Sequence, residues 1–305
     1  MPARKPDPTI VPSLTIPDVR FNHRKTQDAE FEVVDLHRLQ RRAGPDMDPS
    51  QPHRIGFYNL ILVESGRGEH MVDFVRHSFG PGSVILIQRE QVQAFDFSQP
   101  LQGKVLLFTQ TFLDRLHSNM RLPSFTPIQF NPLHQPVLNP DAVELPHCRA
   151  LFDELAAEVE RIEPDPLVVM YLFSALALRL NRLRPAAPHE RLSETQRVSL
   201  ARFYRQLEAQ GLGLRDATTY ASQIGVTYKT LNTLCKAATG LTAKQFVDAY
   251  VVMELKRRLI LSQQNIQQLA WDCGFEDASN FTKYFKAHTG LTPKAFVQSQ
   301  TQPHL

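Results

Sequence analysis

A chain of 305 residues, 42% hydrophobic and 21% charged, is long enough for two domains with separate cores and has an ordinary globular composition. Its net charge of +3 is unevenly spread: from residue 193 onward thirteen Lys and Arg face eight Asp and Glu, so a basic C-terminal part (+5) follows a slightly acidic one (−2). No run approaches the roughly eighteen apolar residues of a membrane span, no hydrophobic signal core opens the chain, and Cys148, Cys235 and Cys273 are unclustered; we expect a cytoplasmic protein with no membrane partner, disulfide framework or zinc site.

Residues 1–20 carry Pro2, Pro6, Pro8, Pro12 and Pro17 and read as an extended arm. From about Glu30 to Thr109, short apolar runs alternate with Gly and Pro turns. GFYNLILVESGRGEHMVDFVRH reads as a hairpin folded at Ser65-Gly66-Arg67-Gly68, FGPGSVILIQ as a turn and a buried strand, GKVLLFTQ as a further strand. Such spacing predicts a small barrel or jelly roll. A barrel mouth lined by Phe57, Tyr58, Arg89, Gln93 and Lys104 would hold a small organic effector, its basic groups meeting an anionic one. The competing reading leaves Arg89 and Lys104 solvated and the aromatics in the core.

Two helical patterns come next. The first places Leu151, Leu155 and Val159 on one face and breaks at Pro164 and Pro166. The second, Leu167 to Leu183, is apolar nearly all round, too much for a helix with one buried face. Burial against the barrel on one side and a partner on the other accounts for it. That reading predicts a homodimer through Met170, Leu172, Leu176 and Leu180; a single buried core helix is the competitor. Residues 185–192 read as a short semi-rigid linker.

The last third contains a near-repeat. YASQIGVTYKTLNTLCKAATGLTAKQF, from Tyr220, recurs as LAWDCGFEDASNFTKYFKAHTGLTPKAF, from Leu269. Each copy reads as two short helices with a small residue for close crossing (Ala221, Ala270) and a glycine at the turn (Gly225, Gly274), the pattern of a helix-turn-helix whose second helix enters the major groove. The buried stripes are Leu231, Leu234, Cys235 and Ala238 in the first copy, and Phe281, Tyr284, Phe285 and His288 in the second. The faces left for DNA carry Tyr228, Lys229, Asn232, Thr233 and Lys236, then Ser279, Asn280, Thr282, Lys283 and Lys286. These lysines and short hydrogen-bonding side chains suit phosphates and base edges. Between the copies, Thr242 caps an uninterrupted run of about twenty residues to Ser262; at 1.5 Å per residue it spans about 30 Å, close to the roughly 34 Å between successive major-groove faces. Asn265, Asp277 and Thr292 are further caps, the last followed by Pro293 at the first helical position.

The block IQQLAWDCGFEDASNFTKYFKAHTGLTPKAF, with Gly274-Phe275, Phe281, Phe285-Lys286, Thr289-Gly290 and Pro293 in signature positions, resembles the AraC/XylS family of bacterial transcription regulators. The preceding TGLTAKQFVDAYVVMELKRRLILS resembles that family's connecting helix. The resemblance implies a seven-helix DNA-binding domain in which the exposed faces named above contact double-stranded DNA. One departure is Lys283, where the family more often has Arg, which weakens the case for a bidentate guanine contact. It further implies a cupin-like N-terminal sensor, paired dimerisation helices, a small-molecule effector and RNA polymerase as a partner. Metal-binding cupins converge several His and a Glu; here His53 and His70 have Gln93 where a further His is usual and no convergent carboxylate, so no metal or other cofactor is expected.

The fold expected is therefore α+β: a Pro-rich arm (1–20), a cupin-like sensor barrel (21–145), dimerisation helices (146–184), a linker (185–192) and an all-α DNA-binding domain with two helix-turn-helix units (193–300). The function expected is effector-responsive, sequence-specific transcription regulation without catalysis. The alternatives are a cupin-type enzyme fused to a DNA-binding module and an effector-independent DNA binder.

Overall fold

The computed structural model describes residues 17–21, 30–40, 48–120, 135–183, 192–262 and 264–301. Most of the expected arm (1–16) and of the expected linker (185–191) lies outside them. The described residues form two compact units, one of Pro17–Gln210 with Asp216–Val247, the other of Gly211–Arg215 with the chain from Asp248 onward.

In the first unit, strands β1 (Asp18–Val19), β3 (His53–Ile55), β8 (Val92–Phe95), β5 (Gly68–Val72) and β6 (Val75–Phe79) form one sheet in that order. Strands β10 (Val137–Leu138), β7 (Val84–Ile87), β4 (Tyr58–Ser65), β9 (Gln102–Phe108) and β2 (Phe31–Asp35) form the other. Two separate sheets are the jelly-roll option of the two expected, not a closed barrel. Residues 17–20, assigned to the arm, instead enter the first sheet, where β1 pairs in parallel with β3. The hairpin expected at Ser65–Gly68 is also corrected. Strands β4 and β5 belong to different sheets, and the tight turn lies at Asp73-Phe74, between the paired Val72 and Val75. Both turn residues have positive φ (47° and 70°), as a two-residue hairpin turn of primed type requires, but neither is the glycine or asparagine that would advertise it.

Alternation assigns the two faces of the second sheet. Ile61 and Val63 of β4, Ile85 and Ile87 of β7, and Val105 and Leu107 of β9 join the core shared with Ile55, Val72 and Phe95 of the first sheet. Leu60, Leu62, Val84, Leu86, Leu106 and Phe108 point the other way, into a second core with α2 (Gln110–Met120), α3 (Glu144–Glu160) and α4 (Pro166–Leu183). Covering both faces explains why β4, β7 and β9 read as continuous apolar runs. At the centre of the helical core, Phe173 of α4 lies 4.8 Å from Phe108 and 5.9 Å from Phe31, both edge to face.

Among the described residues, α4 is the one helix long and apolar enough to cross a membrane, but one of its faces is buried in this core. Met170, Leu176 and Leu180 lie on that buried face, and Leu172 packs against the same core. These four were expected to meet a second protomer; Met170, Leu176 and Leu180 are instead buried in the core of their own protomer, and Leu172 is half-buried against it. The large exposed apolar side chains of α4 are Leu167, Val168, Tyr171 and Leu178.

Helix α1 (Leu36–Gln40) follows β2. Helices α5 (Glu194–Gln210), α6 (Ala217–Gln223) and α7 (Tyr228–Thr239) precede α8 (Ala243–Leu261). Phe203 and Tyr204 of α5 pack on Phe246 of α8, and Phe203 also on Tyr220 of α6. The second unit holds the rest of α8 with α9 (Ile266–Asp272), α10 (Ala278–Thr289) and α11 (Pro293–Thr301), around Phe275, Phe281, Phe285 and Phe296.

Candidate nucleic-acid interface

Each helix-turn-helix is assembled by short-range bonds that the sequence dictates. Asp216 caps α6 by accepting from the amides of Thr218 and Thr219. Gly225, at φ +75°, makes the turn, and the Val226 amide returns to the Ala221 carbonyl at 2.9 Å. Thr227 then caps α7 through the Thr230 amide, and Leu231, Leu234, Cys235 and Ala238 are buried as their spacing requires. The second unit repeats this. Asn265 caps α9, Gly274 turns at φ +72°, the Phe275 amide meets the Ala270 carbonyl, and Asp277 caps α10 through the Asn280 amide at 2.7 Å. Phe281 and Phe285 are buried; Tyr284 is half-buried, its hydroxyl donating to Asp248 Oδ1 at 2.9 Å. His288, expected in the buried stripe, is exposed and stands 3.6 Å from Asp248. Helix α8 starts with a reciprocal capping box: Thr242 Oγ1 accepts from the Gln245 amide, and Gln245 Oε1 from the Thr242 amide.

Most of the residues expected to read DNA stand clear of the fold. Tyr228, Lys229, Thr233 and Lys236 are exposed on α7, and Ser279, Asn280, Lys283 and Lys286 on α10. Two of these also bond locally: Thr233 Oγ1 donates to the Lys229 carbonyl, its oxygen still able to accept, and Asn280 Nδ2 donates to Asp277. Asn232 differs. It is half-buried, and its Oδ1 accepts the Ala243 amide at 3.0 Å, closing α7 onto the first turn of α8. In the second copy Pro293 stands where Ala243 does and has no amide hydrogen to satisfy; Thr282, half-buried, replaces the asparagine. Asn232 thus joins two helices through its Oδ1.

Periodicity missed Arg215. It precedes α6 in sequence, yet its guanidinium lies 3.6 Å over the Phe275 ring and donates to the Cys273 carbonyl. Partners some sixty residues away leave no local signal.

The five residues proposed for an effector mouth do not converge. Phe57 and Gln93 are buried on the inner side of the sheets, with Gln93 Oε1 accepting from His70 Nε2 at 3.1 Å. Burial holds His70 neutral, its pKa driven down to about 3. Tyr58 faces the helices; its hydroxyl donates to Gln110, and burial pushes its pKa up to about 12. Lys104 is on that side too, bonded to Glu64 at 3.2 Å and Asp153 at 2.6 Å, while Arg89 is exposed. Inside the sandwich His53 and His70 are both buried, and His53 Nδ1 lies 2.9 Å from the Gln51 carbonyl. Among the described residues no three His, Cys, Asp or Glu gather as a metal site would need.

Comparison with known proteins agrees with this geometry. A helix-turn-helix domain model matches residues 220–299, and a model described as the AraC-like ligand binding domain matches residues 40–168. The transcriptional activator RhaS of Mannheimia succiniciproducens is 23% identical over 263 residues, 84% of this chain and 91% of that protein. RhaR of Yersinia pseudotuberculosis is 22% identical over 81% of this chain and 84% of its own length. Among solved structures, ToxT of Vibrio cholerae covers 90% of this chain at 14% identity with a TM-score of 0.41. Two capped helix-turn-helix units behind a β-rich ligand-binding domain, with both family models matched in that order, place the chain in the AraC family of transcription regulators.

Proposed function

We propose that α7 and α10 both enter the major groove, in successive turns on one side of the duplex, and that Lys229, Thr233, Lys236, Ser279, Lys283 and Lys286 make the contacts. The observation that carries this reading is the matched pair of capped helices with acid-free exposed faces. Lysines that meet phosphates weaken binding to all sequences when removed, each flattening the slope of log affinity against log salt by about one. In gel shifts, Lys229→Ala, Lys236→Ala and Lys286→Ala should weaken binding to all sequences, whereas Lys283→Ala, placed at a base edge, should also change base preference; four neutral results would sink the assignment.

The N-terminal sandwich holds a small-molecule effector in this proposal, with Asn59, Gln93, His70 and His53 among the buried polar groups available to it. The protein works without catalysis in the cytoplasm, alongside RNA polymerase. It acts as a homodimer, through the exposed face of α4. Positions 168, 171, 175 and 178 are all exposed there and carry Val, Tyr, Ala and Leu, the three-four-three spacing of a seam between paired helices. A stripe of that kind is self-complementary about a twofold axis, which favours a second copy as its occupant. Tyr171→Glu should split the dimer in sedimentation, whereas a dimer that survives both it and Leu178→Glu would refute this face.

A further inference from the structure

The second helix-turn-helix differs from the first at its turn. One residue, Val226, separates Gly225 from the cap Thr227; two, Phe275 and Glu276, separate Gly274 from the cap Asp277. A longer turn fixes the angle between its helices less tightly unless something outside holds it. Arg215 is in place to do so. Its Nη2 donates to the carbonyl of Cys273, the residue that ends α9, where a cation meets the negative end of the helix dipole. Its guanidinium plane covers Phe275 at 3.6 Å and reaches 5.9 Å from the Tyr284 ring. Among the described residues no carboxylate bridges Arg215, so the carbonyl and the ring face are what hold it. Gly274 is called for by its φ of +72°; a Cβ there would lie 3.4 Å from Nη2, in ordinary contact with the guanidinium.

Phe275 passes the constraint on to α10. Its ring meets Phe281, the first buried position of that helix, edge to face at 5.2 Å, and Tyr284, one turn later, at 5.5 Å. Tyr284 is tied in turn to Asp248 of α8. Arg215, the turn and the inner face of α10 thus form one continuous contact.

We infer that Arg215 is a positioning residue for the second DNA-reading helix: it fixes the turn Cys273-Gly274-Phe275 and so sets the angle at which Ser279 and Lys283 meet base edges. The inference rests on α10 reading bases, and its test separates the two. The full-length protein is used with a duplex selected by that protein from random-sequence DNA. Single base changes that Lys283→Ala ceases to distinguish mark the part read by α10, and those lost in Thr233→Ala mark the part read by α7. If Lys283→Ala alters no base preference, α10 does not read bases and the inference falls with that reading. Otherwise Arg215→Met should lower discrimination about tenfold in the α10 part and leave the α7 part unchanged. Arg215→Lys, which keeps the charge and loses the flat stacking surface, should fall between the two. Equal losses in both parts, or unchanged discrimination in the α10 part, overturn the proposal. Should Arg215→Met fail to fold, the same ratio measured with Arg215→Lys decides it.

Discussion

In α6–α7 and α9–α10 alike, a side-chain oxygen caps each reading helix and a left-handed glycine ends it; what surrounds those joints differs. Residues 217–247 contain three lysines and no acid, whereas residues 266–297 contain three lysines with Asp272, Glu276 and Asp277. The first reader buries Leu231, Leu234, Cys235 and Ala238; the second buries Phe281 and Phe285 and adds the Arg215 clamp. The backbone geometry that makes a helix-turn-helix is set by a few local bonds, and it survives while the charge and packing around it change. Two readers of one fold should therefore contribute unequally to DNA binding, the first more through charge and the second more through a rigid aromatic mounting.

The core offers the largest break of that comparison. Phe281→Ala removes a fully buried ring that touches Phe275 and Phe285, and should cost about 3–5 kcal/mol in urea unfolding. Leu231→Ala, equally buried, removes less volume and should cost less. Equal costs would mean that the aromatic mounting adds nothing.

The joints should behave alike. Gly240 and Gly290 both end their helices at φ +76°, and a Cβ at either would meet nothing within 4 Å. Gly240→Ala and Gly290→Ala therefore isolate the conformational cost of a left-handed residue, about 1–2 kcal/mol each. Unequal losses in thermal unfolding would show that the two ends are not equivalent.

Asn232→Ala should lower stability by about 1 kcal/mol, the usual cost of a lost helix cap, and leave base preference intact. Thr282→Ala should spare stability, because Pro293, the counterpart of Ala243 in the second copy, has no amide to satisfy. Urea midpoints alongside gel shifts on base-substituted duplexes test both, and a change of base preference in Asn232→Ala would return that residue to the DNA-reading face.

That reversal shows what a sequence of this kind displays. The caps at Asn265, Thr242, Asp277 and Thr292 bond three residues along, and the buried stripes follow a 3.6-residue period, so both are visible locally. Asn232 lies on a face that the period marks as outward, and its bond to Ala243, eleven residues on, has no periodic trace. Strand order was hidden for a related reason. Apolar runs buried on both faces carry no alternation, so nothing marks which face meets which layer, and the turn at Asp73-Phe74 lacks the usual glycine. Helix α4 was legible as a helix with two apolar faces, but composition does not say which one its own sheet takes. Met170, Leu176 and Leu180 went to the core, leaving Leu167, Val168, Tyr171 and Leu178 outside.

Charge gives the smallest effect and the most direct measure of the asymmetry. Glu276 is exposed in the extra position of the second turn, immediately before the cap of α10. In the proposed complex an acid there lies at the end of α10 that meets DNA and would repel phosphate, in a place where the first helix-turn-helix has no acid. Exposed charges at such distances are screened by salt, so Glu276→Gln should tighten binding only about twofold, and less as salt is raised past about 0.2 M. Asp277 is the poorer choice for the same experiment, because its carboxylate accepts the Asn280 amide at 2.7 Å and its loss would loosen α10 itself. The measurement is a binding isotherm for Glu276→Gln at several salt concentrations, with the first reader left intact. A gain that shrinks with salt places the second reader's acids against the phosphate backbone; weaker binding, or a gain that ignores salt, would mean that the two readers do not differ in the way their charges suggest.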